Sequence, residues 1–197
     1  YVKKRIHDTL GLDAQVVYPP CDTRQFKWQG QGDYYLSLAR LDGLKRVDSI
    51  VNAFKQMPDR KVIIASGGDQ LDALKLSAAG YNNILFTGWL AEDKLLELLG
   101  DCIATIYVPE DEDFGMTPVE SMAAGKPVIC SDHGGPLESV IDGETGVYVG
   151  GDLVESITKA VGYLSPNKAM SMKSACQHRA MGFDTKLFVE KISHFLL

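Results

Sequence analysis

Short apolar runs recur along this chain, and helical patterns fill the spaces between them. Runs over 34–39, 61–66, 83–87, 103–108, 127–131 and 146–149 read as strands, and a further one is expected over 15–18. Several are continuous, such as Val62-Ile63-Ile64-Ala65, rather than alternating. A strand that is apolar on both sides must be covered on both faces, as strands of parallel sheets are. Between the runs lie amphipathic stretches. Over 44–57 the apolar residues fall at 44, 47, 50, 51, 54 and 57, which is one face of a helix, and Pro58 stops it. Further helices are predicted over 93–101, 117–124, 152–164, 167–181 and 184–197. This alternation predicts an α/β fold: a Rossmann-like, doubly wound parallel sheet. The segment from Tyr18-Pro19-Pro20 to Gly32 reads as an irregular connection into the main domain.

Composition narrows the function classes. With 45% hydrophobic and 23% charged residues, the 197-residue chain has ample material for a core. Twenty basic and 26 acidic residues give a formal charge of −6, which provides no electrostatic case for nucleic-acid binding. No apolar run reaches the roughly 18–20 residues of a spanning helix. The four cysteines, Cys21, Cys102, Cys130 and Cys176, form no C-x-x-C pair, so a reduced, cytoplasmic setting is expected.

In a doubly wound sheet, ligands bind beyond the carboxyl ends of the strands. After the run over 34–39 come Arg40, Lys45 and Arg46, cations at a strand-to-helix turn. Cations are unfavourable at a helix N-terminus unless an anion such as a diphosphate joins them there. A solvated basic turn, or Arg40 paired with an acidic neighbour, is the alternative. Ser66-Gly67-Gly68-Asp69 is not a G-x-G-x-x-G element and reads as a tight turn. Gly88-Trp89-Leu90 is either a turn with a half-buried indole or a shelf for a nucleobase. His133, alone in its loop, reads as incidental.

The most informative stretch runs from Pro109 to Glu120. Four consecutive acids, Glu110 to Asp113, lead through Phe114 and Gly115 into a helix. Thr117, Pro118 and Glu120 fit N-cap, N1 and N3 of a capping box. Asp111-Glu112-Asp113 has the D-x-D form that can hold a divalent metal against a sugar nucleotide. Cations at Arg40 and Lys45 could neutralise a diphosphate instead, so no metal is expected.

Glu112 and Glu120 are separated by seven residues, an E-x7-E spacing, and the run from Glu112 to Ile129 resembles the signature of family 4 retaining glycosyltransferases. Ala39-Arg40-Leu41 with Lys45 resembles an upstream element of that family. Gly134-Gly135-Pro136-Leu137-Glu138 and Asp142-Gly143-Glu144-Thr145-Gly146 resemble its closing motifs. Departures are Asp113 where the family often has Gly and Arg46 where it often has Gly. The E-D-F-G form, the K-R-V-D form and Tyr18-Pro19-Pro20-Cys21-Asp22-Thr23 resemble a subgroup of bacterial and archaeal mannosyltransferases.

The resemblance implies a two-domain GT-B enzyme, with residues 1–32 ending an N-terminal acceptor domain and its linker, and 33–197 forming the nucleotide-sugar donor domain. It implies a hexose, expected to be mannose, carried by GDP-mannose to a glycan or glycolipid acceptor; a UDP- or ADP-sugar, or a related sugar-nucleotide epimerase, is the alternative. Arg40 and Lys45 would bind the diphosphate, Glu112 the donor sugar and Glu120 the ribose. Backbone around Phe114, Gly115, Met116 and Thr117 would hold sugar and phosphate oxygens, and Gly88, Trp89 and Leu90 would border the base. The resemblance implies no cofactor and no metal. It also implies that this half is inactive alone, and that any contact with the inner membrane face is made by the full-length enzyme.

Overall fold

The computed structural model describes residues 1–196. In chain order the elements are α1 (Val2–Leu10), β1 (Tyr34–Ser37), α2 (Val47–Lys55), β2 (Lys61–Ile64), α3 (Leu71–Ser77), β3 (Ile84–Phe86), α4 (Glu92–Asp101) and β4 (Thr105–Tyr107). Then come α5 (Met116–Ala123), β5 (Val128–Ser131), α6 (Pro136–Ser139), β6 (Gly146–Val149), α7 (Leu153–Tyr163), α8 (Pro166–Met181) and α9 (Thr185–Leu196). The expected last helix ran to Leu197, which lies outside the described residues.

All six strands pair in parallel, in the order β3-β2-β1-β4-β5-β6. The chain starts in the middle, winds outward one way, then crosses back to β4 and winds the other way. The crevice between the ends of β1 and β4 is therefore the topological switch point. The continuous apolar runs behave as their composition requires: Tyr35, Leu36, Val62, Ile64, Ile106 and Ile129 are fully buried. On one face α2 buries Val47, Ile50, Val51, Ala53 and Phe54. The Tyr35 hydroxyl donates to the carbonyls of Val161 (3.0 Å) and Leu164 (2.8 Å), satisfying groups left open at the end of α7.

Three local expectations are corrected. Residues 15–18 form no strand, because no neighbour offers that segment a ladder and a strand exists only through its partner's hydrogen bonds. The helix expected over 44–57 is divided: Gly43–Lys45 forms a 3-10 turn, Arg46 turns left-handed at φ 49°, and α2 begins at Val47. The capping box does not form. Gly115, at φ 82°, is the N-cap of α5, so Thr117 lies inside the first turn and its hydroxyl caps nothing.

The irregular segment before β1 is fastened along its length. Cys21 exchanges backbone hydrogen bonds with Phe183 (2.9 Å) and Thr185 (3.0 Å), and Thr23 Oγ1 donates to Asp184 at 2.6 Å. Lys126 is fully buried and its ammonium donates to the Gly30 carbonyl at 2.5 Å. Burial holds that ammonium below the usual lysine range. Trp28 lies under the ammonium of Lys173, 3.7 Å from its ring centroid.

Replacing Tyr35 by Phe removes one hydroxyl and strands two buried carbonyls. Tyr35→Phe is expected to cost about 1–3 kcal/mol, a fall of several degrees in Tm at this chain length. Thermal unfolding followed by circular dichroism checks it; an unchanged Tm would mean that water reaches those carbonyls.

Candidate functional site

Two loops meet at the switch point, one from the end of β1 and one from the end of β4. They are laced together by backbone and side chains. The Glu110 N–H donates to the Leu44 carbonyl at 2.8 Å. The Arg46 guanidinium donates to the carbonyls of Val108 (2.8 Å) and Pro109 (2.7 Å), and Ser131 Oγ donates to the same Pro109 carbonyl at 2.8 Å. Three strand ends are thus held through one side chain. This accounts for an Arg in left-handed backbone: an uncommon conformation costing about 1 kcal/mol or more is offset by two charge-assisted hydrogen bonds.

Inside this frame Lys45 and Glu112 form an ion pair. Lys45 Nζ lies 2.7 Å from Glu112 Oε2, with about a fifth of each side chain exposed. The Tyr107 hydroxyl, at the end of β4, donates to the same oxygen at 2.5 Å. Burial alone would raise the Glu112 carboxyl, but the hydrogen bonds from Lys45 and Tyr107 outweigh it and hold the group below the usual carboxylate range. The Tyr107 phenol is pushed up, by burial first and then by its bond to Glu112. Gly135 supports the loop from below: its N–H donates to the Glu112 carbonyl at 2.7 Å, and a Cβ there would fall 2.2 Å from Phe114 Cα.

Arg40 is two-thirds exposed at the rim, with Nε 2.7 Å from Asp42 Oδ2. The hydrogen bond from Arg40 is the main reason that the Asp42 carboxyl lies below its usual range. Asp42 also accepts the Lys45 N–H at 3.2 Å, capping the 3-10 turn. Of the cations read from the sequence, Arg46 is committed to backbone carbonyls, Lys45 faces Glu112 and Arg40 faces solvent.

Glu120 lies one turn into α5. It is largely buried, and no hydrogen bond to its carboxylate is found among the described residues. Burial raises its pKa. Phe114 packs by its ring against Tyr18 (5.3 Å between centroids) and Phe183 (5.6 Å), and Met116 joins the same cluster. Those two side chains therefore anchor the loop, leaving backbone as what they could present to a ligand. Trp89 is 72% exposed, so of the two alternatives the half-buried indole is not what forms. It follows Gly88 at φ 68° and leans on Gly67, where a Cβ would fall 2.4 Å from Nε1. Gly67 in turn accepts the Leu41 N–H at 3.0 Å, which links the Trp89 loop to the Arg40 loop. Leu90 is turned partly inward, against the cluster around Leu36 and Leu99.

The acids of the D-x-D run diverge. Glu112 faces Lys45, Asp113 pairs with Arg5 at 2.9 Å, and Asp111 accepts the Tyr1 hydroxyl at 3.3 Å. Among the described residues no three His, Cys, Asp or Glu side chains are placed to hold a metal ion. His133 contacts its neighbour Asp132 at 2.9 Å. A cavity of about 250 Å³ lies beside the site, under α1, and is lined by Ile6, Val17, Tyr18, Asp113, Phe114 and Glu138. All four cysteines are buried and free. Sequence reasoning passed over Tyr107 and misread the part of Arg46. The signal for Tyr107 was its place as the last residue of the strand entering the switch point.

The family model for glycosyl transferases group 1 matches residues 22–180. The GDP-mannose-dependent alpha-(1-6)-phosphatidylinositol monomannoside mannosyltransferase of Mycolicibacterium smegmatis is 31% identical over 89% of this chain and 51% of its own length. The alpha-1,3/1,6-mannosyltransferase ALG2 of Dictyostelium discoideum is 46% identical over 40% of this chain and 19% of its own. The chain thus spans about half, or less, of the curated relatives it matches. Among solved structures, a glycosyltransferase from Rickettsia africae superposes with a TM-score of 0.87 at 19% identity, covering 98% of this chain and 60% of that one. Anabaena Alr3699/HepE in complex with UDP and glucose superposes at 0.84 with 21% identity, over 92% of this chain and 56% of that one. At such identities the likeness is one of fold, the Rossmann-like half of a GT-B glycosyltransferase. No described helix is long and apolar enough to cross a membrane.

Glu120 yields a stability prediction. A carboxyl whose pKa is raised by folding carries no penalty while it is protonated in both states, and a growing one as pH rises through its folded pKa. Glu120→Gln is expected to raise Tm at neutral pH, with the gain vanishing near the ordinary glutamate pKa of about 4.3. Melting curves across that range check it; a pH-independent gain would point to packing rather than charge.

Proposed function

The chain belongs to the group 1 glycosyl transferases, and from that membership we propose that it is the donor-binding half of a retaining enzyme that moves mannose from GDP-mannose to a glycan or glycolipid acceptor. The observation carrying this reading is the Lys45–Glu112 pair at the switch point, where a cation and a carboxylate from separate loops share one crevice. The choice of mannose is supported by the relatives, several of which are named as mannosyltransferases.

In this reading Arg40 and Lys45 bind the donor diphosphate. As the bond from the sugar's anomeric carbon to the diphosphate oxygen breaks, the electron pair stays with the diphosphate; the acceptor hydroxyl oxygen bonds to the same carbon and gives up its proton, which the departing diphosphate can take. Negative charge therefore grows between the two cations, once they have turned to the diphosphate, and the N–H groups at the start of α5. These contacts strengthen toward the transition state and so accelerate transfer rather than merely tighten binding. With two cations available, no metal is invoked. Glu112 takes hydroxyls of the sugar. Glu120, with its carboxylate unengaged, takes the ribose. Its buried charge becomes affordable only when hydroxyl donors arrive, which suits a binding group. Gly88, Trp89 and Leu90 border the base, the exposed indole offering a flat face. Residues 1–32 belong to the acceptor domain and linker, and the partner surface for the acceptor lies in that domain. In this reading the reaction takes place on the cytoplasmic side, where the four free cysteines would stay reduced.

A guanine nucleotide is expected to raise the Tm of the chain, and the double variant Arg40→Ala with Lys45→Ala to lose most of that shift. Differential scanning fluorimetry with GDP, UDP and ADP ranks the bases; an undiminished shift in the variant would remove these two residues from the phosphate site. The chain alone is expected to bind donor but transfer no sugar, so measurable turnover with a mannoside acceptor would overturn the half-enzyme reading.

A further inference from the structure

Both side-chain donors on Glu112 fall on a single oxygen. Lys45 Nζ is 2.7 Å from Oε2, and the Tyr107 hydroxyl is 2.5 Å from that same atom. No side chain among the described residues donates to Oε1. Two side-chain donors on one oxygen fix the carboxylate, and Oε1, which receives no side-chain donor, keeps acceptor capacity even with the Asp113 backbone N–H close to the group.

The two donors differ in freedom. Lys45 ends a flexible stem with three N–H donors and is about a quarter exposed. A diphosphate entering the crevice competes for it. Tyr107 has one O–H donor on a rigid ring that is 5% exposed and belongs to the main core. Its backbone is fixed in register, Tyr107 opposite Cys130 of β5. It cannot follow a ligand. Gly115 adds to the fit: at φ 82° it lies so close that a Cβ would fall 2.9 Å from Tyr107 Cε1 and 3.3 Å from Glu112 Cγ. The missing side chain is what lets the ring and the carboxylate stem lie together in the loop.

We propose that Tyr107 is a positioning residue, holding Glu112 with Oε1 free for a donor-sugar hydroxyl after Lys45 has turned to the diphosphate. The inference rests on the donor-site reading above and deepens it. Without donor, Lys45 and Tyr107 share the work of fixing Glu112. With donor bound, Lys45 answers the phosphates and Tyr107 holds the carboxylate alone. Tyr107 touches neither sugar nor phosphate, so it acts only through Glu112. The ring also lies under the Lys45 ammonium, 5.7 Å from its centroid, but the hydroxyl reaches only Glu112; the hydroxyl therefore governs how much the sugar adds to the affinity of the nucleotide, and its removal with the ring kept leaves the nucleotide's own affinity unaltered.

That division sets the experiment. The chain and its Tyr107→Phe variant are titrated calorimetrically with GDP and with GDP-mannose, and in parallel with UDP and UDP-glucose. The ratio of dissociation constants within a pair isolates the sugar's contribution. The variant is expected to bind the nucleotide within about twofold of wild type and the nucleotide sugar about tenfold or more weaker, the scale of a hydrogen bond to a charged group. Unchanged GDP binding also shows that the variant is folded. An unaltered ratio overturns the inference, and so does an equal loss for both ligands, which would make Tyr107 a support of the fold. If the wild-type chain binds neither nucleotide of either pair, the donor-site reading itself falls and takes this inference with it.

Discussion

An ammonium and a carboxylate that lie 67 residues apart in sequence meet at 2.7 Å over the middle of the sheet. That contact depends on the winding order. Only because β1 and β4 are neighbours, with the chain leaving them in opposite directions, do the loops after them face each other across a crevice. With only about a fifth of each side chain exposed, the attraction of the pair is offset by the cost of taking both charges out of water, so it does not by itself organise two loops. The organisation comes from beneath, through Arg46, Ser131 and Gly135, which fix the backbone of 108–112 before Lys45 and Glu112 meet. The ion pair is a consequence of that frame and is free to open. A pair that held the loops together would have to be broken for a ligand to enter, whereas a pair resting on a finished frame can exchange partners.

The frame was legible in proportion to how locally it is encoded. Runs such as Val62-Ile63-Ile64-Ala65 announce buried parallel strands because apolar residues on both sides leave no other covering. The amphipathic spacing of α2 and the Asp152 and Ser165 caps of α7 and α8 are likewise local. α1 escaped notice because its apolar face is only Val2, Ile6 and Leu10, in a short helix that fully buries none of its residues. The 15–18 run has strand composition without a partner, and composition cannot supply one.

The site was legible in its charges and misleading in its geometry. Thr117, Pro118 and Glu120 have the spacing of a capping box, but Gly115 begins the helix two residues earlier because Tyr107 and Glu112 crowd against it. The error matters chemically. A Glu120 engaged in a cap would have one oxygen occupied and its charge partly met, whereas here it is buried with its carboxylate open. Arg46 misled in the opposite way. Its charge suggested phosphate, yet its left-handed backbone turns the guanidinium onto two carbonyls. The one mark in the sequence is that the resembled family often carries Gly at this position, the residue best suited to left-handed backbone.

The net charge of −6 illustrates the same distinction between sum and place. Fields in a crevice are set by the few groups that line it, and low-dielectric walls magnify them. Here Lys45 and Arg40 each face an acid from their own surroundings, Glu112 and Asp42, so neither stands in the crevice as an uncompensated positive charge. An anion does not meet a preformed positive hole; it must draw each cation from its acid. That exchange costs part of the attraction but gives selectivity. A ligand carrying only negative charge would release Glu112 and leave it without a partner, whereas one carrying both phosphate and hydroxyl groups answers the cation and the carboxylate at once. The paired arrangement therefore favours a ligand that joins an anion to a polyol over either part alone.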